Sequence, residues 1–144
     1  MPDSALALAL DQVGDRWSLL IVEALLTGPR RYNELAAHVV GIAPNILAAR
    51  LRHLEHERLV VATPYQERPR RFAYELTTTG RELAGVLGAL SSWGARQHGL
   101  AERRTHDVCG TALTWQPWCP TCATVVVAEP AGQSGEREPT DVWM

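Results

Sequence analysis

The chain contains no lysine; all 14 of its basic residues are arginines. It has no uninterrupted apolar run near the roughly 18 residues that a membrane span requires, and residues 1–12 lack the basic start and small-residue cleavage site of a signal peptide. A cytoplasmic location is therefore expected. Cysteine is absent before residue 109, and all three cysteines fall between 109 and 122. A C-x-x-C is present, but no thioredoxin-like βαβ pattern surrounds it. Neither a Ser/His/Asp set nor a phosphate-cradling glycine loop occurs elsewhere, so an enzyme is not expected.

What is there amounts to 144 residues, 46% of them hydrophobic, enough for one domain with a real core and little more. The formal net charge of −2 averages two opposite regions. Between Arg30 and Arg81 nine arginines face five glutamates, whereas from Thr105 onward Arg137 stands alone against five acids. A basic middle and an acidic end result. Arginine-only usage fits codon bias in a GC-rich genome, and the guanidinium fork equally suits phosphate and guanine contacts.

Apolar residues recur at spacings of three and four through 4-SALALALDQVGDRWSLLIVEALLTG-28, which predicts two helices broken at Val13-Gly14-Asp15 and ended by Gly28-Pro29. A short third helix is expected at 32–40. A fourth follows in 41-GIAPNILAARLRHLEHERLV-60, with Pro44 in its first turn, where the missing N–H costs nothing. Leu47, Leu51 and Leu54 form its buried stripe, and Asn45, Ala49, Arg52, His53 and His56 the opposite face. The third helix, a tight connection at Gly41 and the fourth helix make a helix-turn-helix. Two strands are expected at 59–65 and 72–76, joined by the loop 66-QERPRR-71 as a wing whose Arg68, Arg70 and Arg71 project charge toward a phosphate backbone or minor groove. Thr77 is placed to cap one long helix running to about His98. Its apolar residues include Leu87, Leu90 and Trp93. With Leu6 and Leu10 at the other end, these exceed what one small winged helix buries and suit a homodimer interface.

The blocks 14-GDRWSLLIVEALLTGPRRYNEL-35, 41-GIAPNILAARLRHLEHERLV-60 and 64-PYQERPRRFAYELTTTGREL-83 together resemble the HxlR-type family of bacterial transcriptional regulators. They correspond to its G-[DK]-[RK]-W, G-I-[SA]-x-x-x-L and Y-x-[EQ]-x-P segments, over roughly residues 4 to 98. The resemblance implies a homodimeric, sequence-specific DNA-binding regulator with the fourth helix in the major groove and the wing on backbone or minor groove. It carries DNA-facing roles onto Pro44, Asn45, Ala48, Arg50 and Arg52, onto Arg68, Arg70 and Arg71 in the wing, and onto Arg31, Tyr32 and Asn33 at the start of the third helix. Arg50 flanks the buried stripe and could instead pair with Asp15 or Glu23. Ala43 stands where the family often has serine. Several members sense oxidants through a cysteine ahead of the first block; this chain has none there, so that mechanism does not transfer.

The remaining motif is 106-HDVCGTALTWQPWCPTC-122. His106, Cys109, Cys119 and Cys122 give H-x2-C and C-x2-C, two chelating pairs of soft or borderline donors that suit one tetrahedral structural zinc. A redox C-x-x-C pair, a reversible thiol sensor and unrelated buried thiols are the rival readings. Ala112–Trp115 and Thr124–Val127 are the expected strands of a small ribbon, with Trp115, Trp118 and Val126 as its hydrophobic mass.

The expected class is mainly α (α+β). A winged helix-turn-helix with flanking dimerisation helices occupies 1–98, a zinc-ribbon-like extension 99–128, and a disordered acidic tail 129–144. The expected function is a DNA-binding transcriptional regulator with double-stranded operator DNA as partner. A thiol redox-responsive regulator and a winged-helix protein-interaction module are the alternatives.

Overall fold

A computed structural model describes residues 4–101 and 104–126. The chain divides into two compact units, Met1–Leu113 and Thr114–Met144. The acidic tail at 129–144, expected to be disordered, lies outside the described residues. No described helix is long and apolar enough to cross a membrane.

Helices α1 (Ala5–Val13) and α2 (Arg16–Leu25) open the first unit. Ser4 Oγ accepts from the Ala7 N–H at 3.1 Å, and Asp15 Oδ1 accepts from the N–H groups of Trp17 and Ser18, both at 3.0 Å. Each such cap satisfies amides that helix geometry leaves unpaired and is worth about 1 kcal/mol. Gly14 separates the two helices. Its N–H donates to the Leu10 carbonyl at 2.6 Å, and a Cβ there would overlap that same oxygen.

Along α2, Ser18, Ile21, Val22 and Leu25 are buried at the spacing of one helical face. A two-residue strand β1 (Arg30–Arg31) leads into α3 (Tyr32–His38), and a turn through Gly41 at φ +85° leads into α4 (Pro44–His56). Leu35 of α3 and Leu47, Leu51 and Leu54 of α4 are 0–1% exposed and cluster with Ile21 and Val22. Burying each such side chain contributes about 1.5–3 kcal/mol, so this cluster fixes how α4 is presented.

Strands β2 (Val60–Glu67) and β3 (Arg70–Leu76) form the wing, and β1 joins the far edge of β3 to give an antiparallel sheet of order β1-β3-β2. The wing is tighter than the sequence suggested. Pairing continues past the expected loop to Glu67↔Arg70, so Arg70 and Arg71 are strand residues and only Arg68-Pro69 turns. The register shifts between Pro64 and Gln66, leaving Tyr65 as a bulge. Such a bulge absorbs a residue without ending the ladder and re-aims its side chain.

The single long helix expected after Thr77 is two: α5 (Thr78–Arg81) and α6 (Leu83–His98). Thr77 does cap the first, accepting from the Gly80 N–H at 3.1 Å. Its own N–H donates to the Leu59 carbonyl at 3.0 Å and its hydroxyl to the Arg58 carbonyl at 2.7 Å. Gly80 lies so close to Leu59 that a Cβ would overlap the same carbonyl. The first turn is thereby fixed to the start of β2, and a separate helix continues beyond Glu82. These elements make the first unit a mixed α+β winged helix-turn-helix.

In the second unit, β4 (Trp118–Cys119) pairs with β5 (Thr124–Val125). The ribbon expected between 112–115 and 124–127 is not formed among the described residues. Ala112 bridges back to Thr105, and Thr124–Val125 pairs with 118–119; Val127 lies outside the described residues. Each strand closes on the residues just before its own turn, the shortest loop available. Trp115, Trp118 and Val126 are 42%, 58% and 47% exposed, so they form no hydrophobic core of their own.

Candidate nucleic-acid interface

The basic middle of the sequence separates into arginines with internal work and arginines without it. Arg30 donates from Nε to the Ala24 carbonyl at 2.8 Å and from Nη2 to Thr27 Oγ1 at 3.1 Å, closing the end of α2. Arg81 pairs with Glu75 at 2.7 Å. Arg50 Nε stands 3.3 Å from Asp15 Oδ1, without an aligned hydrogen bond. Burial works to raise the Asp15 carboxyl. Hydrogen bonds from Ser18 and Trp17 and the Arg50 charge outweigh it and hold Asp15 below the usual carboxylate range. Arg50 thus links α4 to the cap of α2, through one of the carboxylates its place beside the buried stripe put within reach.

Three of the remaining arginines, Arg31, Arg70 and Arg71, gather between the start of the third helix and the wing. An open cleft of about 500 Å³ is lined by Arg31, Tyr32 and Asn33 from the β1–α3 junction and by Tyr65, Arg70 and Arg71 from the wing. The Arg31 guanidinium lies 4.5 Å from the centre of the Tyr65 ring, and Arg70 lies 5.4 Å from that of Phe72. Stacking of this kind holds a guanidinium in place while leaving its N–H groups free. Glu34 also lines the cleft, and its carboxylate accepts the Arg31 N–H at 2.6 Å. Tyr74 forms part of the wall; burial, then the Glu55 charge, pushes its hydroxyl pKa up, so it stays neutral.

Tyr65, Phe72, Tyr74 and Glu34 were not among the residues expected at the site from sequence. The bulge that aims Tyr65 at Arg31 leaves no mark in the alternation of the strand. Phe72 could have been found, since it shares a strand face with Arg70 two residues away.

One hydrogen bond joins this cleft to α4: the Tyr32 hydroxyl donates to the Pro44 carbonyl at 2.7 Å. Pro44 and Asn45 open α4 and are exposed, as is Arg52 farther along, while Ala48 is half-buried. Ala43 occupies the N-cap at φ −73° and ψ 144° and offers no side-chain acceptor. His53, on the same helix, is engaged with the Gln12 carbonyl at 2.8 Å. Arg68 is exposed at the wing tip, where the Gln66 side-chain amide donates to its carbonyl at 2.9 Å. Arg31, Asn33, Arg70 and Arg71 are likewise exposed.

The candidate dimer residues divide. Leu6, Leu10, Leu90 and Trp93 are 68%, 52%, 49% and 52% exposed, and Leu8 and Val86 join them. Leu87 instead lies in the core at 6% exposure.

Of the four candidate metal ligands, His106 and Cys109 occupy one tight turn, with His106 Nδ1 and Cys109 Sγ 3.3 Å apart. The Cys109 thiol donates to Thr111 Oγ1 at 3.2 Å, and hydrogen bonding with the hydroxyl, then the N–H, of Thr111 holds it below its ordinary range. In the second unit, Cys119 is likewise lowered, chiefly by hydrogen bonding from Cys122 and then from the Thr121 N–H. Among the described residues, no three His, Cys, Asp or Glu side chains converge as an ion-binding cluster.

The model of the HxlR-like helix-turn-helix family matches residues 12–102. An uncharacterised HTH-type transcriptional regulator of Mycobacterium tuberculosis is 35% identical over 124 residues, 83% of this chain and 78% of the relative. The solved structure of the redox regulator HypR in its reduced form superposes with a TM-score of 0.62 at 27% identity, over 66% of this chain and 94% of its own. A candidate transcription factor of Pseudomonas aeruginosa superposes with a TM-score of 0.60 at 32% identity, covering 90% of this chain and 94% of its own.

Proposed function

Since the chain belongs to the HxlR-like helix-turn-helix family and is a transcriptional regulator of the winged-helix type, we propose that it binds operator DNA as a homodimer, with α4 in the major groove and the wing on the backbone. The observation that carries this reading is the continuity from cleft to helix. A basic cleft with stacked arginines, the right chemistry for phosphate oxygens, is tied through Tyr32 to the first turn of α4. Phosphate contacts position a protein and base contacts specify its site. Here the arginines of the cleft and wing would do the first, and Asn45 and Arg52 on α4 the second.

The apolar residues left exposed on α1 and α6 support the dimer. Leu6 and Leu10 on α1, and Val86, Leu90 and Trp93 on α6, recur at spacings of three and four, and an exposed apolar stripe of this kind ordinarily marks an interaction surface, while two-fold pairing of recognition helices matches a palindromic operator.

Binding titrations on specific and random duplexes at several salt concentrations test the assignment. Arg52→Ala should weaken specific binding by about 1–3 kcal/mol and spare random DNA, as loss of a base contact does. Arg70→Ala should weaken both alike and reduce the salt slope by about 1. Equal losses on both duplexes for Arg52→Ala would remove it from the readout set.

A further inference from the structure

The arginines of the first unit are held by two kinds of partner. Arg30, Arg50 and Arg81, which serve the fold, meet carbonyl or carboxylate oxygens. Arg31 meets a ring, its guanidinium lying 4.5 Å from the centre of Tyr65. Arg16 on Trp17 and Arg70 on Phe72 also meet rings, but those pairs are near neighbours in sequence, where contact follows from local chain geometry. Arg31 and Tyr65 come from strands that are not paired with each other, since β3 lies between β1 and β2.

Neighbouring strands stand about 4.8 Å apart, so a side chain of β1 reaches one of β2 only by passing over β3. The sheet register clears that passage. Arg31 pairs with Ala73 on one side of β3, and Thr63 pairs with the same Ala73 on the other. Directly opposed residues face the same way, so Arg31 sets out across a single methyl group, whereas every other residue of β3 carries a longer side chain. Tyr65, two residues beyond Thr63, is the extra residue of the bulge, and its ring meets the guanidinium on the far side. A bulge in β2, an alanine in β3 and the edge strand β1 together make this one contact.

A ring and a carboxylate do different things to an arginine. A carboxylate takes up the N–H donors and cancels the charge, while an aromatic face attracts the cation and leaves its donors open to an anion. Glu34, the acid that lines the cleft, is engaged at the Arg31 backbone, whose N–H its carboxylate accepts at 2.6 Å. A guanidinium already ordered on a ring also loses less rotamer freedom when an anion arrives. We propose that Tyr65 is a positioning residue for DNA binding: its ring, brought by the bulge and reached over Ala73, holds the Arg31 guanidinium open to one backbone phosphate. This inference rests on the DNA-binding reading and deepens it.

The test is titration of a random-sequence DNA duplex with the full-length protein across a salt series, because phosphate contacts carry no sequence information. Tyr65→Leu should weaken binding about two- to fivefold, and Tyr65→Phe, which keeps the ring, should recover it. Arg31→Ala should lower the salt slope by about 1. In that background Tyr65→Leu should have no further effect, since the ring then has no guanidinium to hold. Ala73→Leu, which fills the passage over β3, should reproduce the loss of Tyr65→Leu, again only where Arg31 is present. Far-UV circular dichroism and thermal melting show that each variant is folded. Equal losses in Tyr65→Phe and Tyr65→Leu, or an undiminished loss in the Arg31→Ala background, would overturn the positioning role. Wild-type affinity in Tyr65→Leu would overturn it too, and the DNA-binding reading would stand if wild-type binding falls steeply with salt. Wild-type binding that does not fall with salt would overturn both.

Discussion

The winged helix and the cysteine-bearing segment after it are held by opposite means. In the first, Ile21, Leu35, Leu47, Leu51 and Leu54 are essentially inaccessible to solvent, and helix positions follow from burying them together. In the second, turn geometry is well formed while Trp115 and Trp118 stay in solvent. The difference teaches that regular backbone does not imply a hydrophobic cause. Where burial is missing, the organising interaction has to be sought among polar and metal-binding groups.

The comparison breaks most sharply under truncation. Leu51→Ala should cost about 2–5 kcal/mol, from lost transfer energy and the cavity left behind, while Trp118→Ala should move the main unfolding transition by less than about 0.5 kcal/mol. Denaturant titration of both variants decides the matter. A large effect at Trp118 would mean that the segment contributes to the main core after all.

Capping gives the next largest effects. The backbone at Ala43 already has N-cap geometry, so Ala43→Ser should add about 1 kcal/mol, read as a higher melting temperature. Asp15 has the complementary weakness. Its folded pKa lies below the unfolded value of about 3.9, so the stability from its charge is present above that pH and is lost as pH falls through the folded pKa. Asp15→Asn keeps a good cap but should flatten the acid limb of stability against pH.

The smallest effects concern left-handed residues, which occur in both regions. Arg58 sits at φ +59° just after α4. Arg58→Gly relieves a penalty of about 1–2 kcal/mol against a chain-entropy loss of about 0.5–1 kcal/mol. A net gain of about 0.5–1 kcal/mol in the main transition is expected, whereas Ala123→Gly should leave that transition where it is.

Much of the first unit was legible because its signals are local or periodic. The Gly14-Asp15 stop and start, Pro44 in the first turn and the Leu47, Leu51, Leu54 stripe each announce themselves within a few residues. The parts that were not legible depend on distant partners. Arg30–Arg31 is too short to alternate and becomes a strand only because β3 offers an edge. The interruption at Glu82 follows from Gly80 meeting the Leu59 carbonyl, a contact across some twenty positions of sequence. The wing strands reach further than composition suggested, because an exposed ladder accepts charged residues on both sides. In the candidate site, the arginines were identifiable by type, yet their division into structural and free ones required Ala24, Asp15 and Glu75 to be in place. The turns at Cys109 and Cys122 were visible as spacing, but both reverse through a left-handed residue, Gly110 at φ +68° and Ala123 at φ +50°, a likeness that the alphabet does not spell, since one is glycine and the other alanine.

The hydrogen bond from Tyr32 to the Pro44 carbonyl turns the front ends of α3 and α4 into the two jaws of a caliper. In the proposed docking one jaw rests on the sugar-phosphate rail and the other on base edges, so the protein, not the duplex, sets the separation between them. A site with the correct bases but an altered groove width would then fit poorly, and DNA shape would be measured along with sequence.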